Sequence, residues 1–262
     1  MPKTRLQPNT ERMVLTNSPA KLLSDAPDNW RKVWDKKGNQ DLIGSGLKPL
    51  LIYSGFNSTT GRITPAQFVN YVHAVCSKIG LKETDRVLEV GCGVGAFLRC
   101  LKPVPSERVG VDYSHALIGR AKKLAGTSSI RFHQSEANTF GSLNIGKFDV
   151  IFSNSVFHYF QSQRYAEEVC RQMAYSVSDT GCIAILDVND AATKDDFLQL
   201  RYSEVGEEQY RELYKGLDQL FLARSFFSDC FRSMGFGHVS TEDQFWRGYL
   251  NTPYRFNVFV RR

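Results

Sequence analysis

Between residues 64 and 187 the apolar positions fall into two alternating patterns. Phe68, Val72, Val75 and Ile79 recur at helical spacing. Ahead of them, Thr64-Pro65-Ala66-Gln67 offers a capping hydroxyl, a proline suited to the first turn and a glutamine able to reach back; Gly80 behind them supplies a stop. This predicts a helix over 64–80. Short apolar runs follow at 86–90, 108–112, 130–134, 148–153 and 181–187, with helical patterns near 95–101, 114–124 and 163–177. Short apolar strands separated by helices predict a parallel sheet covered on both faces.

Outside this stretch the pattern changes. Residues 1–29 are rich in Pro, Asn, Ser and Thr without periodicity, and read as a mobile arm. Trp30-Arg31-Lys32-Val33-Trp34 is a short aromatic segment expected to pack on the domain or cover its cleft, and 35–62 reads as loop interrupted by Leu50-Leu51-Ile52-Tyr53. Residues 190–225 are charged, aromatic and helical in character, which predicts an insertion packed over the cleft. Ser228 to Met234 reads as a short capped helix ended by Gly235, and strands near 236–242 and 254–261, with no long helix between them, are expected to pair antiparallel. The expected architecture is α/β: a seven-stranded, mostly parallel, doubly wound sheet with a final antiparallel pair and a helical cap. All of it is assigned to one domain, with an arm and lid at 1–62, a core at 63–189, a cap at 190–227 and a closing helix and strands at 228–262.

Charge and cysteine content narrow the picture. The net charge of +6 is scattered in short spots such as Lys122-Lys123 and Arg261-Arg262, with no long basic stripe for a nucleic acid. The six cysteines form no Cys-x-x-Cys pair and no cluster with histidine, so no metal site is expected, and they read as reduced thiols of a cytoplasmic protein. No apolar run is long enough to cross a membrane. The expected partner is a small-molecule substrate, with the chain a monomer or homodimer.

The candidate chemistry begins where the first strand ends. Val87-Leu88-Glu89-Val90-Gly91-Cys92-Gly93-Val94-Gly95 runs from an apolar strand into three alternating glycines, with a carboxylate two residues before the first. Such a turn lets backbone approach a ligand closely. The second strand ends in Asp112, where an acid can hold ribose hydroxyls. Two further loops, at Glu136-Ala137 and at Asn154-Ser155-Val156-Phe157-His158, follow the third and fourth strands and converge on the same edge of the sheet.

On these residues the chain resembles the class I S-adenosylmethionine-dependent methyltransferases, over roughly residues 63–189. The resemblance implies S-adenosyl-L-methionine as cofactor and S-adenosyl-L-homocysteine as product. It implies that Gly91, Cys92, Gly93 and Gly95 offer backbone to the cofactor, that Glu89 orients its amino group, that Asp112 holds the ribose, that Glu136-Ala137 meets the adenine amino group, and that Asn154 and Ser155 lie beside the methionine part and the substrate. Tyr113 is placed to stack on adenine. The tail, Gly248-Tyr249-Leu250-Asn251 with Tyr254-Arg255-Phe256-Asn257-Val258, is similar to the end of some bacterial methyltransferases associated with surface-glycan synthesis. No Asn/Asp-Pro-Pro-Tyr/Phe motif follows the fourth strand, which argues against methylation of adenine or glutamine nitrogen.

Transfer from a sulfonium is an in-line displacement dominated by positioning. His158 is the candidate base where the acceptor must lose a proton. Trp34, Tyr53 and Phe56 are candidate substrate contacts alongside Trp30, with Phe221, Phe226 and Phe227 from the insertion; Arg224 and Arg247 are candidates to meet an anionic substrate. A small-molecule oxygen acceptor is favoured, with nitrogen, sulfur and carbon open. Gly91-Cys92-Gly93-Val94-Gly95-Ala96 also fits a loose dinucleotide pattern, so an NAD-dependent oxidoreductase stays open. Glu89 and the antiparallel ending weigh against it. An RNA or protein methyltransferase and a non-catalytic cofactor-binding subunit are the other open readings.

Overall fold

The protein is described by a computed structural model that covers residues 29–41, 46–56, 62–125 and 129–262. The arm read over 1–29 therefore lies outside the described residues, apart from Asn29. The aromatic segment forms a helix, α1 (Asn29–Gly38), that runs further into the expected loop than the apolar pattern suggests. Leu50 and its neighbours form α2 (Leu47–Tyr53). Helix α3 (Pro65–Ile79) has the expected capping box: Thr64 Oγ1 accepts from Gln67 N at 3.2 Å, and Gln67 Oε1 accepts from Thr64 N at 2.8 Å.

Strands and helices then alternate: β1 (Arg86–Val90), α4 (Ala96–Cys100), β2 (Glu107–Asp112), α5 (His115–Ala125), β3 (Ile130–Gln134), β4 (Phe148–Asn154), α6 (Gln163–Ser176) and β5 (Val177–Asn189). The later elements are α7 (Lys194–Val205), α8 (Glu207–Leu213), α9 (Arg224–Ser233), β6 (His238–Asp243) and β7 (Arg255–Arg261). The sheet has seven strands in the order β3-β2-β1-β4-β5-β7-β6. β1 to β5 pair with one another in parallel, and β7 is antiparallel to both β5 and β6.

Successive residues of the central strands serve opposite faces. Val87, Val150 and Phe152 join Phe68, Val72 and Phe97 on one side, while Leu88, Val90 and Ile151 join Val169, Met173 and Phe231 on the other. Burial on both faces is why these strands read as nearly continuous apolar runs.

Two boundaries and the packing of the insertion differ from the sequence expectation. β5 starts at Val177, directly from α6, because Phe148 pairs with Val177 across an irregularity in register. α9 starts at Arg224 rather than Ser228, without a side-chain cap; Arg224 is held there by Asp190 and Asp243. In the insertion, α7 and α8 together bury only Phe197, so they stand on the surface, and Phe227 sits in the core between Phe157 and Phe256 instead of forming a lid.

Candidate active site

The order of strands reverses between β1 and β4, and a crevice opens at their carboxyl ends. The chain leaves β1 through a turn stitched to β2: Gly91 N and Cys92 N both donate to Val111 O, at 2.8 and 3.0 Å. Gly91 has φ +77°, and a Cβ there would lie 2.5 Å from Val156 Cγ2 on the turn after β4. The two turns interlock, and only glycine fits between them.

Asp112, at the end of β2, closes the turn. Its Oδ2 accepts from Gly93 N at 2.8 Å and its Oδ1 from Ser114 N at 2.9 Å. Burial outweighs these two bonds and pushes its pKa up to about 6. Each oxygen keeps a lone pair for a further donor. Glu89 is 3 % exposed and its Oε2 makes no hydrogen bond within the protein. Burial, with Asp112 nearby, holds its carboxyl well above the usual range. A buried acceptor without a donor is the feature a cationic or hydrogen-bonding ligand would satisfy.

These groups face a cavity with about 1010 Å³ of open volume. Glu89, Gly91, Cys92, Gly93, Asp112, Tyr113, Glu136, Ala137, Asn154 and Ser155 all line it, as do the expected substrate contacts Trp34, Tyr53 and Phe56. Glu136 accepts from Arg31 Nη2 at 2.5 Å and from the Tyr165 hydroxyl at 3.4 Å. Phe68, Phe97, Tyr159 and Phe160 complete an aromatic wall. Phe68 is legible in the sequence only as one more residue on the apolar face of α3, and Tyr159 carries no signal there.

Three candidates stand elsewhere. Gly95 caps α4 with φ +77° and faces Phe132, whose ring would meet a Cβ at 2.6 Å. Arg224 is bound to Asp190 and Asp243 at 2.8 and 2.7 Å, away from the cavity. His158 is 3 % exposed and absent from the cavity wall, with Nδ1 2.9 Å from Arg255 Nη1. A guanidinium only donates, so Nδ1 is the acceptor and the ring is the neutral Nε2–H tautomer. Burial and then the Arg255 charge hold its pKa well below the usual histidine value. The structure thus places His158, the expected base, outside the cavity lining with its Nδ1 lone pair engaged by Arg255.

Behind the cavity lies a buried polar network that the sequence did not disclose. Ser155 on the β4 turn and Asp187 on β5 both have positive φ, +58° and +59°. Ser155 Oγ donates to Asp187 Oδ2 at 2.5 Å. The fully buried Asp187 carboxylate also accepts from Gln244 Nε2 at 3.3 Å and the Tyr249 hydroxyl at 3.4 Å, while Asp187 N donates to Asn257 Oδ1 at 2.9 Å. Two non-glycine residues strained side by side need such over-determined surroundings. Among the described residues no His/Cys/Asp/Glu group could hold a metal ion, and no helix is long and apolar enough to cross a membrane.

Comparison with known proteins bears on this geometry. Residues 88–183 match the family model of a methyltransferase domain. The chain is 28% identical over 171 residues to the probable non-canonical nonribosomal peptide synthetase CymA of Salinispora arenicola, covering 63% of this chain and 2% of that protein. It is 33% identical over 87 residues to malonyl-[acyl-carrier protein] O-methyltransferase 1 of Ilyobacter polytropus, covering 32% of each. The chain thus spans only a minor part of either relative's length. Magnesium protoporphyrin IX methyltransferase from Synechocystis PCC 6803, solved with bound SAH, shares the fold with a TM-score of 0.54 at 16% identity, over 88% of this chain and 93% of that one. The domain match and the antiparallel β7 between β5 and β6 decide between the two glycine-turn patterns in favour of the first.

Proposed function

We propose, from the premise that this chain carries a methyltransferase domain on the class I S-adenosylmethionine-dependent fold, that the whole protein is an enzyme that methylates a small-molecule acceptor, with oxygen the favoured acceptor atom. The observation that carries this reading is the convergence of Glu89, the 91–93 turn, Asp112, Tyr113 and Glu136 on one cavity whose remaining wall is aromatic. The unpartnered Glu89 Oε2 and the open space over Gly93 fit the cofactor's amino group and the close approach of its chain. When bound, S-adenosylmethionine supplies a methyl group already activated as a sulfonium.

The protein's own residues then bind and orient. Asp112 accepts from the ribose, Glu89 from the amino group, and Glu136 meets the adenine edge. Phe56, Phe68, Trp34 and Tyr159 enclose an acceptor and keep water from the reacting atoms; their ring faces also favour a nearby positive charge. Asn154 and Ser155 are the polar groups on that side, Ser155 held by Asp187. With the His158 lone pair engaged by Arg255, catalysis rests on positioning, not on a histidine base. The relative named for transfer to malonyl-[acyl-carrier protein] oxygen supports the oxygen acceptor. The domain division given by the sequence, with 63–189 as cofactor core and 190–227 as cap, belongs to this proposal.

Titration calorimetry with S-adenosylhomocysteine, run beside NAD and repeated on Asp112→Ala, tests the reading. Micromolar binding of S-adenosylhomocysteine that the variant loses is the expected result, followed by transfer of labelled methyl into members of a small-molecule panel. Binding of NAD in its place would sink it.

A further inference from the structure

Helix α1 is held by few buried contacts. Of its ten residues only Gly38 is buried, and a helix this short has little stability of its own in water. Discrete contacts hold it, and they differ from end to end. At the carboxyl end Gly38 packs so closely on α5 that a Cβ would lie 2.6 Å from the backbone of Ala116 and Leu117. Ser114 Oγ donates to Asp35 Oδ1 at 2.5 Å, and Arg120 Nε to Gly38 O at 3.3 Å. At the amino end the hydrogen bonds cross exposed surface, Asn29 Nδ2 donating to Gly216 O at 3.0 Å and Trp30 Nε1 to Asp218 O at 2.9 Å, and one ring contact joins Trp30 edge-on to Tyr159 at 4.6 Å.

Between the two ends Arg31 reaches over the cavity. Its Nη2 donates to Glu136 Oε1 at 2.5 Å, its Nη1 to Tyr113 O at 3.1 Å, and its guanidinium lies 4.3 Å from the centre of the Tyr113 ring. One side chain of α1 therefore engages the two residues placed at the adenine end, while Trp34 of the same helix forms cavity wall and meets Tyr159 edge-on at 5.1 Å.

We propose that α1 is a lid that turns on its Gly38 contact with α5, and that Arg31 is the latch that closes it over the adenine end and retains the cofactor. This rests on the proposed function. The end packed on α5 stays and the end held across exposed surface opens, because an element with few buried contacts opens locally at low cost. Arg31 and Glu136 are 34% and 42% exposed, so their pair is solvated enough to break and reform with each opening. Closure sets an order: the cofactor enters before the latch forms and leaves only after it breaks.

The experiment is stopped-flow fluorescence with S-adenosylhomocysteine as the probe. Two of the three tryptophans, Trp30 and Trp34, lie on α1 and report its position. Arg31→Ala is expected to raise the dissociation rate at least tenfold while changing the association rate less than threefold, and Arg31→Lys to recover part of the loss. Arg31→Gln keeps most of the side chain's length and is expected to follow Arg31→Ala should that variant fold poorly. Equal dissociation rates in wild type and variants would overturn the latch and leave the cofactor site standing. A wild type that does not bind S-adenosylhomocysteine would overturn the cofactor site and the latch together.

Discussion

The two sides of the crevice hold their polar groups by different means. On the β1–β3 side the partners of Asp112 are backbone N–H groups of Gly93 and Ser114, both close to a strand end. On the β4–β7 side the donors to the Asp187 carboxylate are side chains brought from far along the sequence: Ser155 is 32 residues away, Gln244 57 and Tyr249 62. Backbone donors leave spare lone pairs and open space for a ligand. Side-chain donors fill the space around the carboxylate and fix a shape. One side is built to receive, the other to hold a strained turn in place.

The most forceful way to break this contrast is Asp187→Ala. It strands three donors and frees the strained backbone at Ser155 and Asp187, so a loss of stability of about 3 kcal/mol is expected in denaturant unfolding, with a fall in S-adenosylhomocysteine affinity of the remaining folded protein smaller than that loss of stability. A large loss of affinity at full stability would reverse the assignment of the two sides. Asp112→Ala should do the opposite. Loss of two bonds to a carboxylate predicts affinity weaker by roughly a hundredfold, about 2.7 kcal/mol, with no comparable fall in melting temperature.

The raised pKa of Asp112 adds a pH signature. Because its value in the folded protein, about 6, lies above the ordinary carboxylate range, ionising it costs the fold. That stability is fully present in acid and is lost as pH rises through about 6. Asp112→Asn should therefore gain on wild type between pH 4 and pH 7, by up to about 3 kcal/mol in urea titrations. Ribose hydroxyls favour the ionised form, so wild-type affinity for S-adenosylhomocysteine should weaken as pH falls below about 6, by no more than roughly tenfold per unit. A flat calorimetric profile from pH 5 to 8 would separate Asp112 from the ligand. The smallest effect on binding is expected from Arg224→Ala, remote from the cavity: it leaves the buried Asp190 carboxylate without its guanidinium partner, so a stability loss of roughly 1–3 kcal/mol is expected, with no change in binding.

The same contrast explains what the sequence made legible. The Thr64–Gln67 box is a local signal, with partners three positions apart, and the glycine turn and Asp112, 19 positions apart, each mark the end of an apolar strand; all appear in the structure where the pattern placed them. His158 looked available because the residue that engages it, Arg255, lies 97 positions away. Arg224 looked like a substrate contact because the alignment of Asp190 and Asp243 depends on how β6 returns beside α9. The strands β1–β5 followed from apolar runs, yet the start of β5 depended on pairing with Phe148, and the extent of α1 on its contacts with α5 and Glu136, neither of which leaves a periodic trace.

The contact between Gly91 and Val156 has a bearing on redesign. A larger residue at 156 would press on the turn that follows β1, and a smaller one would loosen it. Attempts to reshape the acceptor pocket through that position will therefore register first as altered grip on the donor, and selection for a new substrate there will be paced by how much of that grip can be surrendered.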